Sequence, residues 1–163
     1  MSLKKRYRSG LKGSRSAAEA ILASFKTPEQ WTHQVHDQAN HALWVAGHIG
    51  VVDDFMISLV APEKVSPKAG YPEKFGMGSK PTADASDYPD VEEVLAYMRE
   101  RREALLAVLD EMSEEDFDTP TPEDAPEILP TVGSVFQLSA WHEGFHLGQV
   151  SVAARALGFP PRI

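Results

Sequence analysis

The chain has 163 residues and a hydrophobic fraction of 42%, which suits one domain with a substantial core. It has no cysteine, which excludes disulfide frameworks, thiolate zinc knots and cysteine nucleophiles and leaves His, Asp and Glu for any metal site. Residues 1 to 15 hold six of the 16 basic residues and no acid, so the rest carries 10 basic against 24 acidic groups, a balance of −14 that repels nucleic-acid phosphates.

In chain order, the basic segment 1–15 (MSLKKRYRSGLKGSR) comes first. It lacks the apolar stretch of a secretory signal. No apolar run approaches the roughly 20 residues that span a bilayer. The expectation is a cytoplasmic protein with a frayed basic arm over 1–15 and a helical domain over 16–163. The first helix is predicted over Ser16 to Phe25, because Gly10 and Gly13 weaken any earlier start. Thr27-Pro28-Glu29-Gln30-Trp31 then reads as a capped turn ending in an aromatic anchor.

The second helix is expected from about Asn40 to Val60. Between it and the third lies Ala61 to Pro89, with five prolines and three glycines but also Tyr71, Phe75, Met77 and Tyr88. A loop this long with apolar anchors reads as an ordered cover over one end of the helices. The third helix, about Asp90 to Met112, follows Pro89 and opens with Asp90, Glu92 and Glu93, the charge that a helix N-terminus prefers. Ser113 to Phe117 echoes the earlier capped turn and suggests two related helical hairpins. The fourth helix runs from about Val132 to Leu157, with Thr131 as N-cap and Gly158, Pro160 and Pro161 as the stop. No segment alternates with period two. The fold class is all-α: a four-helix bundle with a long loop between its second and third helices.

Six histidines stand at 33, 36, 41, 48, 142 and 146. Stepping by three and four along the fourth helix gives Val135, Leu138, Ser139, His142, His146, Gln149, Val150, Ala153 and Leu157. This stripe is mostly apolar and should face the core. His142 and His146 lie one turn apart within it, so both imidazoles reach one point. The second helix gives His41, Trp44, Val45, His48, Val51, Val52, Phe55 and Leu59, with His48 mid-stripe. A lone histidine on such a face is more often a packed, hydrogen-bonded core residue, and His48 by itself reads that way. Two unpaired imidazoles at i, i+4 are costlier to bury. Together the three favour a metal site with an open position. His41, nearer the helix start and expected to be more exposed, is the reserve ligand, and His33 and His36 read as loop surface.

His142-Glu143-Gly144-Phe145-His146 also matches H-E-x-x-H, the metalloprotease pattern of two ligands and a general base. The tail LGQVSVAARALGFPPRI has no His, Asp or Glu to serve as third ligand, and Gln149 stands where the longer form needs Gly. The third ligand must come from upstream, and His48 is best placed. Glu143 lies about 100° around the helix from His142. It reads as a surface or interhelical pairing residue, with no catalytic role assigned.

Asn40-His41-Ala42-Leu43-Trp44-Val45-Ala46-Gly47-His48-Ile49 resembles the second helix of the DinB-like superfamily, which also includes YfiT-like metal hydrolases. His142 through Gln149 resembles its last helix, H-x-x-x-H followed by Gly-Gln, and Phe75 to Pro89 resembles the long loop of one branch. The resemblance covers about residues 16 to 160. It implies a four-helix bundle holding one divalent metal ion, zinc or nickel, on His48, His142 and His146, and a homodimer. It also implies small-molecule chemistry, with relatives that use thiols such as bacillithiol or mycothiol. The short first helix and basic arm depart from the pattern.

Three functions remain open on the sequence. The first is a metal-dependent enzyme on small molecules, either a thiol-dependent S-transferase or a hydrolase, since an open metal position can activate water or bind a thiolate. The second is a non-catalytic metal-binding or stress-response protein. The third is a helical interaction module with buried, metal-free histidines.

Overall fold

The computed structural model describes residues 1–162; Ile163, the last residue of the expected domain, lies outside the described residues. Among the described residues there are six α-helices where four were expected: α1 (Leu3–Leu22), α2 (Pro28–Trp31), α3 (Ala42–Val60), α4 (Tyr71–Phe75), α5 (Val91–Glu111) and α6 (Val132–Ala156). Of the four long ones, α3, α5 and α6 coincide with expected helices, whereas α1 begins thirteen residues before the expected Ser16 and ends at Leu22 instead of Phe25. The capped turn at Thr27 is short helix α2, closed by a capping box between Thr27 and Gln30. The segment 61–89 is not a bare loop, because α4 and two 3₁₀ turns interrupt it. No strand is present among the described residues, only one isolated bridge between Pro120 and Thr131.

The long helices contact one another in a ring: α1 against α6, α6 against α3, α3 against α5, and α5 against α1. Their starts follow local chemistry. Asp90 caps α5 by accepting from Glu92 N–H, and Thr131 caps α6 with Ser134 in a reciprocal capping box. By length and composition α3 could cross a bilayer, yet most of it is buried inside the fold, as in any core helix.

Residues 1–15 do not form a separate arm. They are continuous with α1, which starts at Leu3 rather than Ser16. Ser2 caps it, and the Glu114 carboxylate accepts from the N–H groups of Leu3 and Lys4. Lys4 donates to the Asp110 carbonyl, and Arg8 pairs with the Asp110 carboxylate. The acids that match this basic segment lie about a hundred positions away, which is why it looked solitary in the sequence.

The core has two apolar layers. One gathers Ile21, Leu22, Trp31, Trp44, Phe75, Tyr97 and Met98, and the other Leu11, Ile57, Leu105, Leu109, Phe117 and Phe136. Between them in sequence register lies a buried ion set to which each long helix contributes one charge: Arg15 from α1, Asp53 from α3, Arg102 from α5 and Glu143 from α6. Arg102 Nε and Nη2 donate to the two Asp53 oxygens at 2.9 and 3.0 Å, and Nη1 pairs with Glu143 at 2.8 Å. Arg15 Nε donates to Glu143 at 2.6 Å and Nη2 to Asp53 at 3.1 Å. Two cations and two anions cancel, and every carboxylate oxygen of the set has a donor. A second buried pair, Arg101 with Asp54, ties α3 to α5 at 3.0 Å.

Removing one member strands its partners without water. Arg102→Met is therefore expected to lower the unfolding free energy by about 3–5 kcal/mol, read from urea denaturation followed by circular dichroism. A loss below about 1 kcal/mol would mean that the network contributes little.

Candidate metal centre

The site begins with three imidazoles on two helices. His48 sits mid-α3, and His142 and His146 sit one turn apart on α6. His48 and His146 are buried and His142 is half-buried, so the cluster opens on the His142 side. His142 Nε2 lies 3.3 Å from His48 Nε2 and 3.1 Å from His146 Nε2. One ligand nitrogen from each ring falls within 4.8 Å of the others. Tetrahedral bonds of 2.0–2.1 Å to imidazole nitrogen would set neighbouring nitrogens about 3.4 Å apart. The spacing fits a single ion.

The hydrogen bonds on the far side of the rings fit it too. His48 Nδ1 faces the Phe75 carbonyl at 2.7 Å, and since a carbonyl only accepts, Nδ1 carries the proton and Nε2 keeps its lone pair. His146 Nδ1 faces Gln149 Oε1 at 2.9 Å, which leaves its Nε2 free in the same way. At most one hydrogen, on His142, is then available to bridge three mutually close nitrogens, whereas a cation would take all three lone pairs. Ligating histidines commonly have their second nitrogen tied in this manner.

Aromatic packing fixes the ring planes. Trp44 stacks on His48 with centroids 4.5 Å apart and planes 13° apart, and its Nε1–H donates to Ser79 Oγ. Phe145 meets the His146 ring edge-on. The Phe75 carbonyl reaches His48 because α4 lies directly on α3, and a Cβ on Gly47 would overlap the Phe75 ring.

Burial, opposed by the Phe75 carbonyl and reinforced by His146, holds His48 at about 4. Burial with repulsion from His146 and His48 holds His142 at about 3. His146 is also lowered, chiefly by burial. All three rings are neutral at pH 7, the state a ligand needs.

His41 corrects an expectation. It is not exposed but fully buried, and it caps α3 by accepting from Trp44 N–H at 3.1 Å. It stands against Tyr88, outside the three-histidine cluster, and burial lowers it to about 4. His33 and His36 lie in the loop before α3, half-buried and exposed. Glu143 is not on the surface: it is fully buried, and Ser14, Arg15 and Arg102 occupy its oxygens. No carboxylate joins the histidine cluster among the described residues. The residues missed in the sequence are those behind the ligands, Phe75 and Asn40, and the ion set of Arg15, Asp53 and Arg102. The adjacent acids Asp53 and Asp54, in an otherwise apolar helix, were the one available signal for that set.

The sequence model of the DinB superfamily matches residues 11–150 of the chain. No curated protein matched.

Two outcomes follow from this geometry. Gly47→Ala should push Phe75 off α3, loosen the bond to His48 Nδ1 and weaken zinc(II) binding about 10- to 100-fold in a chelator competition titration. Unchanged affinity would detach the Phe75 carbonyl from the centre. The second concerns acid. Folded His41 and His48 titrate near 4 and His142 near 3, against 6.5 for a free imidazole. Between about pH 6.5 and 4 the unfolded chain therefore binds more protons, and stability falls as pH falls through that window. The metal-free protein should lose Tm from pH 7 to pH 4.5. His41→Asn, which keeps an N-cap acceptor, should lose less; equal losses would remove His41 from the account.

Proposed function

The chain belongs to the DinB superfamily, and from that membership we propose that it is a divalent-metal enzyme acting on small molecules, a thiol-dependent S-transferase or a hydrolase. His48, His142 and His146 would hold the ion, zinc or nickel. The observation that carries this reading is the convergence of three imidazole nitrogens, two of them with the second nitrogen already bonded. A divalent ion there would supply Lewis acidity toward a small electrophile or toward the thiolate of a low-molecular-weight thiol. The protein's own part is to keep the rings neutral, fix their planes through Trp44 and Phe145, and leave the His142 side open.

In this reading α1, α3, α5 and α6 are the four helices of the bundle, and α2 and α4 are additions to it. The acidic balance beyond residue 15 supports a small-molecule substrate rather than nucleic acid. The reading also takes the chain as a cytoplasmic homodimer. Supporting the dimer, Trp141, Phe145 and Val152 form an exposed apolar row along α6.

A metal-binding or stress-response role without turnover is favoured by one observation. The carboxylate nearest in sequence, Glu143, is committed to two arginines and a serine and is not free to act as a base. The two readings part on activity: an enzyme turns over some member of a panel of esters, amides and thiol–electrophile pairs only when metal is bound.

The common premise is tested by metal analysis. Wild type should carry about one zinc or nickel per chain, and His48→Ala, His142→Ala and His146→Ala should each lose it while keeping the helical circular-dichroism spectrum. Wild type without metal after gentle purification would refute the centre, and loss confined to the α6 variants would remove His48 from it.

A further inference from the structure

His48 and His146 are both oriented through Nδ1, but by partners of different kinds. The Phe75 carbonyl that faces His48 can only accept, so that tautomer is locked by the backbone. His146 faces a side-chain amide, which has an acceptor at one end and a donor at the other. Turned through 180°, Gln149 would donate to His146 Nδ1 and force the ring proton onto Nε2, the nitrogen that points at His142. Something must set the sense of that amide. Asn40 Nδ2 donates to the same Gln149 Oε1 at 3.1 Å, so a turned Gln149 would bring donor against donor. The backbone next to Asn40 is placed by His41, which is fully buried, caps α3 by accepting from Trp44 N–H and stands edge-on against Tyr88. Asn40 and Gln149 are both half-buried, which limits competition from water.

Resting on the metal reading above, we propose that Asn40 is a positioning residue for the centre: its amide N–H holds the Gln149 oxygen toward His146 and so keeps His146 in the tautomer whose Nε2 can ligate.

The decisive substitution is Asn40→Asp. A carboxylate at this position only accepts, so Gln149 turns its nitrogen toward it and His146 moves its proton to Nε2. Plain electrostatics gives the opposite sign, because a new negative charge near a cation site strengthens binding. Two readouts serve. Two-bond proton–nitrogen spectra of ¹⁵N-histidine-labelled, metal-free protein near neutral pH report each tautomer, and zinc(II) competition against a chelator reports affinity. Wild type is expected to show Nδ1–H at both His48 and His146. Asn40→Asp is expected to show Nε2–H at His146 alone, with zinc affinity down about 10- to 100-fold.

Gln149→Glu gives a second arm. Its carboxylate accepts from His146 Nδ1–H without help, so adding Asn40→Ala in that background should change neither readout. In the native background Asn40→Ala should weaken zinc binding up to about tenfold. The proposal is overturned if Asn40→Asp keeps the Nδ1–H tautomer, or if it binds zinc as tightly as wild type or more so. It is also overturned if Asn40→Ala costs the same affinity in both backgrounds. A wild type that binds no zinc while Asn40→Asp still inverts His146 supports the relay and removes the metal reading; zinc binding without inversion does the reverse.

Discussion

The fold turns on four buried charges, one from each long helix, that cancel among themselves. Arg15, Asp53, Arg102 and Glu143 are each less than a tenth exposed. Taking any of them out of water alone would cost several kcal/mol. The cost is offset only when each carboxylate oxygen meets an N–H or O–H donor at the same time, as found here. Such a set tolerates little sliding. A shift of α6 by one residue would turn Glu143 away from α1 and α5 and leave two arginines short of an anion. The apolar layers on either side have no comparable selectivity, because Leu, Ile and Phe accept many neighbours. The ion layer therefore fixes the register in which the apolar layers pack.

That register also aims the histidines. Glu143 and His142 are neighbours about 100° apart on α6. With Glu143 turned toward Arg15 and Arg102, His142 and His146 turn toward α3, where His48 waits. His48 is placed from its other side by α4, whose approach depends on the missing side chain at Gly47. The two polar inclusions of the core thus solve burial differently. The ion set is charged and internally paired. The imidazoles are kept neutral by burial and turn their Nε2 atoms toward one another, with at most one hydrogen, on His142, to share among three nitrogens.

Much of this is legible in the amino-acid sequence. The spacing of His142 and His146 on an apolar stripe, the position of His48 and the caps at Asp90 and Thr131 depend on contacts within a helical turn or two, which the sequence displays directly. What escaped was non-local. The start of α1 at Leu3 rests on Asp110 and Glu114, more than a hundred positions away. The partner of His48 is a backbone carbonyl, to which the identity of Phe75 gives no clue. His41 was placed by distance along the helix, yet its ring folds back on its own helix start under Tyr88. Segment 61–89 had its anchors recognised but not its helix, since five residues are too few for a period to show.

Glu143 shows how far a short motif can be trusted. In H-E-x-x-H the two histidines are related by the pitch of a helix, so their convergence is intrinsic to the pattern. The role of the glutamate is not. It lies off the histidine face, and its side chain goes to whichever neighbour stabilises its charge most. In this chain that neighbour is a pair of buried guanidinium groups from α1 and α5, with Ser14 beside them. A carboxylate so engaged is fixed in place, and moving it to a substrate would leave Arg15 and Arg102 buried without it. The same five residues that can arm a protease therefore serve here as one ligand pair and one structural anchor, and the difference was decided by residues 15 and 102, which the motif does not contain.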